Sequence, residues 1–366
     1  MVVRPLAGYT PAVPGLFSPS RSAIVDLLPA EPDPVRRTAA WARAVLDAGL
    51  LDIPLPGRGA TARRFATLAD IGSVDLDLAR LVEAHVDAHS ILADLDSAPD
   101  AADLDRGGLW GVWAANPPVD PLLARPDGAG GWLLRGTKPW CSGAGCCDRA
   151  LVTARAATSG GDGGYRLYAV ELAHPGAAPV DGTWPAAAMQ GSDSRSVTFT
   201  DVPAVAIGGP DEYLTRAGFW HGAVGVAAVW WGGARGVAEA LARADRRRPL
   251  NPHALAHAGA VDALLTAAAA QLSASAQEFD DDPTDKHGMA RLTAARVRAT
   301  VETAATTTID RVGRALGAGP LALDAAHGRR VAGLALYLRQ SHAERDLEEL
   351  GRAALASGLA PWDGSA

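Results

Sequence analysis

Through the first hundred positions, apolar residues return at three- and four-residue steps between short clusters of proline, glycine and aspartate, the mark of amphipathic helices separated by turns. The clearest run is Asp75–Leu95, where Leu78, Leu81, Val82, His85, Ala88, His89 and Leu92 keep that spacing. Glu31–Leu51 opens on Glu-Pro-Asp-Pro, acids and prolines suited to a first helical turn, and ends near Gly49. Thr61–Ile71 follows with Thr61 placed as an N-cap. Near Gly107 the texture changes. GLWGVWAA, GWLLRGTKPW, RALVTARA, YRLYAVEL and RSVTFTDVPAV are short stretches rich in Val, Leu, Trp, Tyr and Thr, bounded by turn residues, and predict a small antiparallel β-domain. From about Asp211 the helical step returns in four long segments, Gly218–Ala244, His253–Phe279, Met289–Leu316 and Ala325–Leu355.

The expected fold class is therefore α+β, with an N-terminal helical domain (residues 1–105), a middle small antiparallel β-domain (106–208) and a C-terminal four-helix bundle (209–366). With 366 residues and 48% hydrophobic positions there is ample material for a core. A net charge of −7 makes nucleic acid a poor partner. The opening MVVRPLAGYTPAVPGLFSPSRSA lacks the apolar run of a secretory signal, and no later run reads as a membrane span, so a cytoplasmic location is expected. The three cysteines, Cys141, Cys146 and Cys147, make neither a disulfide framework nor a zinc motif. His85 and His89 are four apart but lack a third ligand, so they read as a polar seam at a domain contact or a histidine beside a cofactor, and no metal site is expected.

One stretch carries chemistry. GWLLRGTKPWCSGAGCCDRALVTARA resembles the central motif of the acyl-CoA dehydrogenase family, with Gly136, Lys138, Trp140, Ser142 and Asp148 in corresponding places, and MQGSDSRSVTFTDVPAV is similar to that family's closing β-segment. The resemblance implies FAD, with Trp140 against the isoalloxazine ring and the Ser142 hydroxyl or its N–H donating near N5. A flat apolar ring and a hydrogen-bond donor are what a flavin needs there. It further implies that Trp113 and Ala115 reach the flavin through backbone groups at a degenerate strand end, Ala115-Asn116-Pro117. Arg247 is the implied pyrophosphate ligand, and Gly317 the turn that approaches the cofactor of a neighbouring subunit. A homodimer or homotetramer is expected on the same ground.

The resemblance implies oxidation of the Cα–Cβ bond of an acyl thioester by hydride transfer to the flavin, with an electron-accepting partner. That chemistry needs a carboxylate over the substrate. The pattern instead puts Gln340 near one acid position and His221-Gly222-Ala223 at the other, leaving His221, His342 and Glu344 as candidate catalytic groups. Two other readings stay open: a flavin-dependent monooxygenase on the same scaffold, for which Ser142-Gly143 speaks, and a non-catalytic member that has kept only the fold.

Overall fold

The computed structural model describes residues 20–95, 107–116, 120–158, 161–358 and 361. The expected domain boundary at residues 105–106, and Pro117 of the degenerate strand end, lie outside the described residues. The chain opens with α1 (Ser20–Asp26), which the pattern did not mark, and α2 (Pro34–Asp47). Asp33 caps α2 by accepting the Arg36 N–H, Pro34 occupies its first turn, and the Trp41 indole donates to the Ile24 carbonyl, tying α2 to α1. α3 (Thr61–Val74) begins one residue earlier than a Thr61 cap requires. Thr61 is its first helical residue, and its hydroxyl donates to Asp280. α4 (Leu76–Leu95) buries Leu78, Leu81, Val82, Ala88 and Leu92 as the periodicity predicts.

Seven strands follow: β1 (Trp110–Trp113), β2 (Leu123–Pro126), β3 (Trp132–Lys138), β4 (Arg149–Thr158), β5 (Gly161–Glu171), β6 (Ala177–Val180) and β7 (Ser196–Ile207). Their order is β1-β4-β2-β3-β7-β5, with β6 on β7; β5 also pairs with β4, so five strands close into a ring. Trp113, Leu134, Val152, Tyr168, Phe199 and Val202 belong to its core. The expectation of an antiparallel sheet is corrected. β1 and β2 both run parallel to β4, which the crossover of β3 makes possible and which strand composition does not reveal.

The chain then enters the short α5 (Glu212–Thr215) and three long helices, α6 (Ala217–Arg247), α7 (Pro252–Asp281) and α8 (Ala290–Leu316), before α9 (Ala318–Leu323), α10 (Ala325–Tyr337) and α11 (Glu344–Ser357). The expected C-terminal four-helix bundle does not stand alone, and its last helix is broken. First, α6 packs on α3 as intimately as on its own neighbours. A Cβ on Gly72 would lie 2.5 Å from the Val229 carbonyl oxygen, and one on Gly232 would lie 2.0 Å from that of Ala69, so only glycine allows this backbone approach. The N-terminal helices α1–α4 therefore share one core with α6, α7, α8 and α10. Second, the helix expected over Ala325–Leu355 breaks after Tyr337 into a 3-10 turn, Leu338–Gln340. Ala343 there takes φ 49° and ψ −115°, and Ser341 donates to Glu302 at 2.6 Å, which pins the break to α8. The expectation that no run reaches membrane-span length is also corrected: α7 is long and apolar enough to cross a membrane by length and composition, although it packs on α8, α6 and α3.

Candidate functional site

The principal cavity, of about 1000 Å³, opens where α4, the sheet and the C-terminal helices meet. One wall comes from two loops of the sheet. The loop after β3 carries Trp140 and Ser142, and the loop before β7 carries Ser192 and Ser194. Backbone bonds clamp the two loops together: Cys141 N–H donates to the Arg195 carbonyl, Gly143 N–H to Ser192 and Ala144 N–H to Asp193. The Asp193 carboxylate accepts from the Gly145 N–H at 2.8 Å, and the Ser192 N–H donates to Asp77 in the first turn of α4 at 3.1 Å. This clamp brings the Ser142 and Ser194 hydroxyls within 2.8 Å of each other, and those of Ser194 and Ser192 within 2.9 Å.

Trp140 stands apart from the other large aromatics of this wall. It is 59% exposed, and its φ of 57° places a bulky residue in the left-handed region, where non-glycine residues are rare and strain is retained mainly at functional positions. Trp113 behaves otherwise. It is buried in the sheet core, off the cavity wall, and its indole donates to the Ser142 carbonyl at 2.9 Å, so it positions the loop from behind. Ala115 lines the cavity. Asn116 is turned away from the cavity and holds two buried side chains, accepting from Lys138 Nζ at 2.8 Å and from Thr153 Oγ1 at 2.9 Å.

The facing wall is helical and charged. Arg80, Glu83 and Asp87 descend one side of α4, Arg216 and Tyr213 approach from the start of the long-helix region, and Arg298 and Tyr337 come from α8 and α10. Arg80 bonds Glu83 at 2.6 Å and reaches the other wall, its Nε donating to Ser142 Oγ at 3.1 Å. Burial lifts the Glu83 carboxyl to about 7 although Arg80 and Arg64 oppose the rise, and Asp87 is raised for the same reason. Arg216 is held by Asp94 at 2.6 Å and lies 4.0 Å from Asp87. Arg298 sits with its guanidinium 4.6 Å from the Trp230 ring centroid, its charged form disfavoured by burial.

Of the three catalytic candidates, only His342 lines the cavity, beside Gln340; its Nδ1 is 3.3 Å from Asp346. Glu344 is exposed at the start of α11 and off the wall. His221 is a core residue, its ring 4.3 Å from that of Phe279, with burial lowering its pKa to about 4; its neighbours Gly222 and Ala223 face the cavity instead. His85 is likewise buried, accepting the Trp110 N–H at 3.2 Å and meeting His89 edge-on at 4.7 Å, which makes the pair a seam between α4 and β1. Arg247 and Gly317 stand exposed at the ends of α6 and α8, outside the cavity of this chain; Gly317 has φ 67°. Among the described residues no group of three His, Cys, Asp or Glu is placed to hold a metal.

Comparison with known proteins shows the fold. No family model matches the chain. The dibenzothiophene monooxygenase TdsC of Paenibacillus sp. A11-2, solved with FMN and indole, superposes with a TM-score of 0.80 at 19% identity, over 92% of this chain and 96% of that one. A nitrososynthase from Micromonospora carbonacea var. africana superposes with a TM-score of 0.74 at 19% identity, over 95% and 99%. The chain thus shares with these proteins the acyl-CoA dehydrogenase-like fold. In sequence, 84 residues are 40% identical to the amino sugar nitrososynthase RubN8 of Streptomyces rubradiris, a match that spans 22% of this chain and only 19% of the relative.

Proposed function

We propose that the chain is a flavin-dependent monooxygenase that uses FMN and delivers one oxygen atom of dioxygen to a small polar substrate, an amine of the amino-sugar kind first among them. The observation that carries this reading is the composition of the cavity: an exposed indole and a serine row on one wall, buried charges on the other, and Gln340 where Cα–Cβ dehydrogenation needs a carboxylate. An amide cannot take a proton from carbon at neutral pH. The similarity to FMN-bound TdsC and to nitrososynthases supports the oxygenase over the acyl thioester dehydrogenase, and FMN over the FAD expected from the sequence.

The residues fit such a cofactor. The free face of Trp140 supplies a flat apolar platform, and its left-handed backbone turns the indole out of the sheet core. Reduced flavin supplies the two electrons that let dioxygen be divided between product and water. This chain's residues hold the reactants and keep water out: Phe219, Trp220 and Leu336 supply apolar lining, while Glu83, Asp87 and Arg216 offer charges to a polar substrate. A supplier of reduced flavin then replaces the electron-accepting partner of a dehydrogenase. Arg247 and Gly317, outside this cavity, serve a flavin only across a contact with a second copy, which is consistent with a homodimer or homotetramer.

The test is oxygen labelling. The protein is incubated with FMN, a chemical or enzymatic reductant and amino-sugar nucleotides under isotopically heavy dioxygen, and the product is weighed by mass spectrometry. One heavy oxygen in the product is the expected result. Anaerobic bleaching of bound flavin by acyl thioesters, with no label taken up from dioxygen, would overturn the reading in favour of dehydrogenation.

A further inference from the structure

Six arginines and five carboxylates line the cavity of a chain whose net charge is −7. Five of these arginines have a carboxylate partner, at distances from 2.6 Å for Arg80–Glu83 to 3.7 Å for Arg345–Glu349. Arg298 is the exception. Among the described residues no carboxylate lies within ion-pair distance of it, and its hydrogen bond runs from Nη1 to the Ala223 carbonyl at 3.1 Å. Its place is internal: the guanidinium lies 4.6 Å from the centroid of Trp230, a residue with no exposed surface, and Tyr337, itself 2% exposed, meets the same ring edge-on. Burial works against its charged form, and Asp346, Glu302 and Glu83 oppose that only from beyond contact. A guanidinium taken out of water without a counter-charge is costly, and stacking on an indole returns only part of that cost. With one face on Trp230 and Nη1 on Ala223, the rest of the fork is left for a ligand, and a planar fork of N–H donors matches two oxygens of one anion.

We propose that Arg298 is an anion anchor for the substrate: the molecule oxygenated in this cavity carries an oxyanionic group, a carboxylate, sulfonate or phosphate, that docks on the free edge of the Arg298 guanidinium. The proposal rests on the flavin reading of the Trp140 wall and narrows the small polar substrate of that reading to an anion. Because Arg298 belongs to the helical wall, an anion held there leaves the remainder of the molecule facing the sheet wall and Trp140. An amine on the same molecule finds Glu83 and Asp87 on that helical wall, so an amino sugar qualifies when it also carries a phosphate or a carboxylate. The ligand supplies the counter-charge that the fold withholds from Arg298 alone among the arginines of the cavity.

The experiment measures binding of benzoate, methanesulfonate and inorganic phosphate by calorimetry, with benzamide as the neutral counterpart, for the native chain, Arg298→Met and Arg298→Lys, with and without FMN. The native chain is expected to bind at least one oxyanion about tenfold or more tighter than benzamide, and its melting temperature to rise with the concentration of that anion. Arg298→Met is expected to bind the anion about tenfold to a hundredfold more weakly, yet without anion to melt at or above the native temperature, because an unpaired buried charge has gone. An arginine that only supports the fold gives the reverse, a lower melting temperature with anion binding unchanged. Arg298→Lys keeps the charge without the fork and is expected to bind the anion several-fold more weakly, which decides the matter should Arg298→Met fail to fold. Equal binding of oxyanions and benzamide by the native chain, or native anion affinity in the variants, overturns the proposal. Displacement of the anion by FMN but not by riboflavin would give Arg298 to the phosphate of the cofactor, overturning this proposal while the flavin reading stands. FMN binding is read separately, so failure of the flavin reading shows as absence of FMN binding in the native chain.

Discussion

The two walls of the cavity are built on opposite principles. The sheet wall is neutral: hydroxyls and an indole, set by loop backbones whose N–H and C=O groups are paired with each other. The helical wall is ionic, with Arg80, Glu83, Asp87 and Arg216 brought out of water by helices whose remaining faces are apolar core. Buried ion pairs contribute little net stability compared with apolar packing of the same volume, and are costly when broken. The sheet wall therefore suits a planar, uncharged ring system, whereas the charges opposite it are retained at a cost to folding. Arg80 belongs to both, since it bonds Glu83 on its own helix and Ser142 across the cavity.

That contrast can be broken most sharply at Arg80. Replacing it by Ala leaves Glu83 buried without its main partner, and global stability in urea is expected to fall by about 3–5 kcal/mol at pH 8, against about 1 kcal/mol for Ser142→Ala on the neutral wall. Similar losses for both would remove the distinction between the walls.

The acid limb of stability comes next. His85 and His221 are buried, and burial lowers their pKa from the usual 6.5 to about 4. Between those values the unfolded chain binds the proton first, so their contribution is present above 6.5 and is lost as the pH falls towards 4. Glu83 and Asp77, raised by burial to about 7 from ordinary values of 4.5 and 3.8, act in the opposite sense, costing stability as the pH rises through that window. His221→Phe is expected to reduce the loss on acidification by up to about 3 kcal/mol, and to leave turnover at pH 7.5 intact because His221 packs on Phe279 away from the cavity. Loss of turnover in this variant would return His221 to the site.

On the sheet wall, Trp140→Ala is expected to weaken FMN binding by about tenfold to a hundredfold while barely changing stability, because the ring is exposed. The smallest effect is expected at the rim. Glu302→Ala, which frees Ser341 and Arg339 at the break between α10 and α11, should cost about 1–2 kcal/mol and raise KM more than it lowers kcat, as the segment carrying His342 loosens.

The neutral wall was largely legible in the sequence and the ionic wall was not. Trp140 and Ser142 lie in a contiguous stretch whose Gly-Thr-Lys-Pro-Trp-Cys-Ser pattern marks a turn with chemistry, and the structure places both on the cavity. Arg80, Glu83 and Asp87 do carry a signal, since their steps of three and four put them on one face of a helix with about 3.6 residues per turn. His85 and His89 on the same segment lie on the opposite side of the helix, where His85 meets β1 and His89 packs edge-on against His85. The α–β–α order was readable from the change of hydrophobic period. The parallel pairing of β1 and β2 with β4 was not, because register across a closed ring depends on partners distant in sequence. Nor was the break at residues 338–343, which carries no glycine or proline and is held by Glu302, a residue of another helix.

The central claim is that the Trp140–Ser142 wall holds a flavin, and the most direct measurement is a titration of the purified protein with FMN. Visible absorption and tryptophan fluorescence would be followed for the native chain and for Trp140→Ala, in oxidised and reduced states. The account predicts saturable binding by the native chain, with the flavin spectrum perturbed and tryptophan emission quenched, and a large loss of both on removing the indole. Absence of saturable binding in either redox state, or binding of equal strength and spectrum in Trp140→Ala, would contradict it.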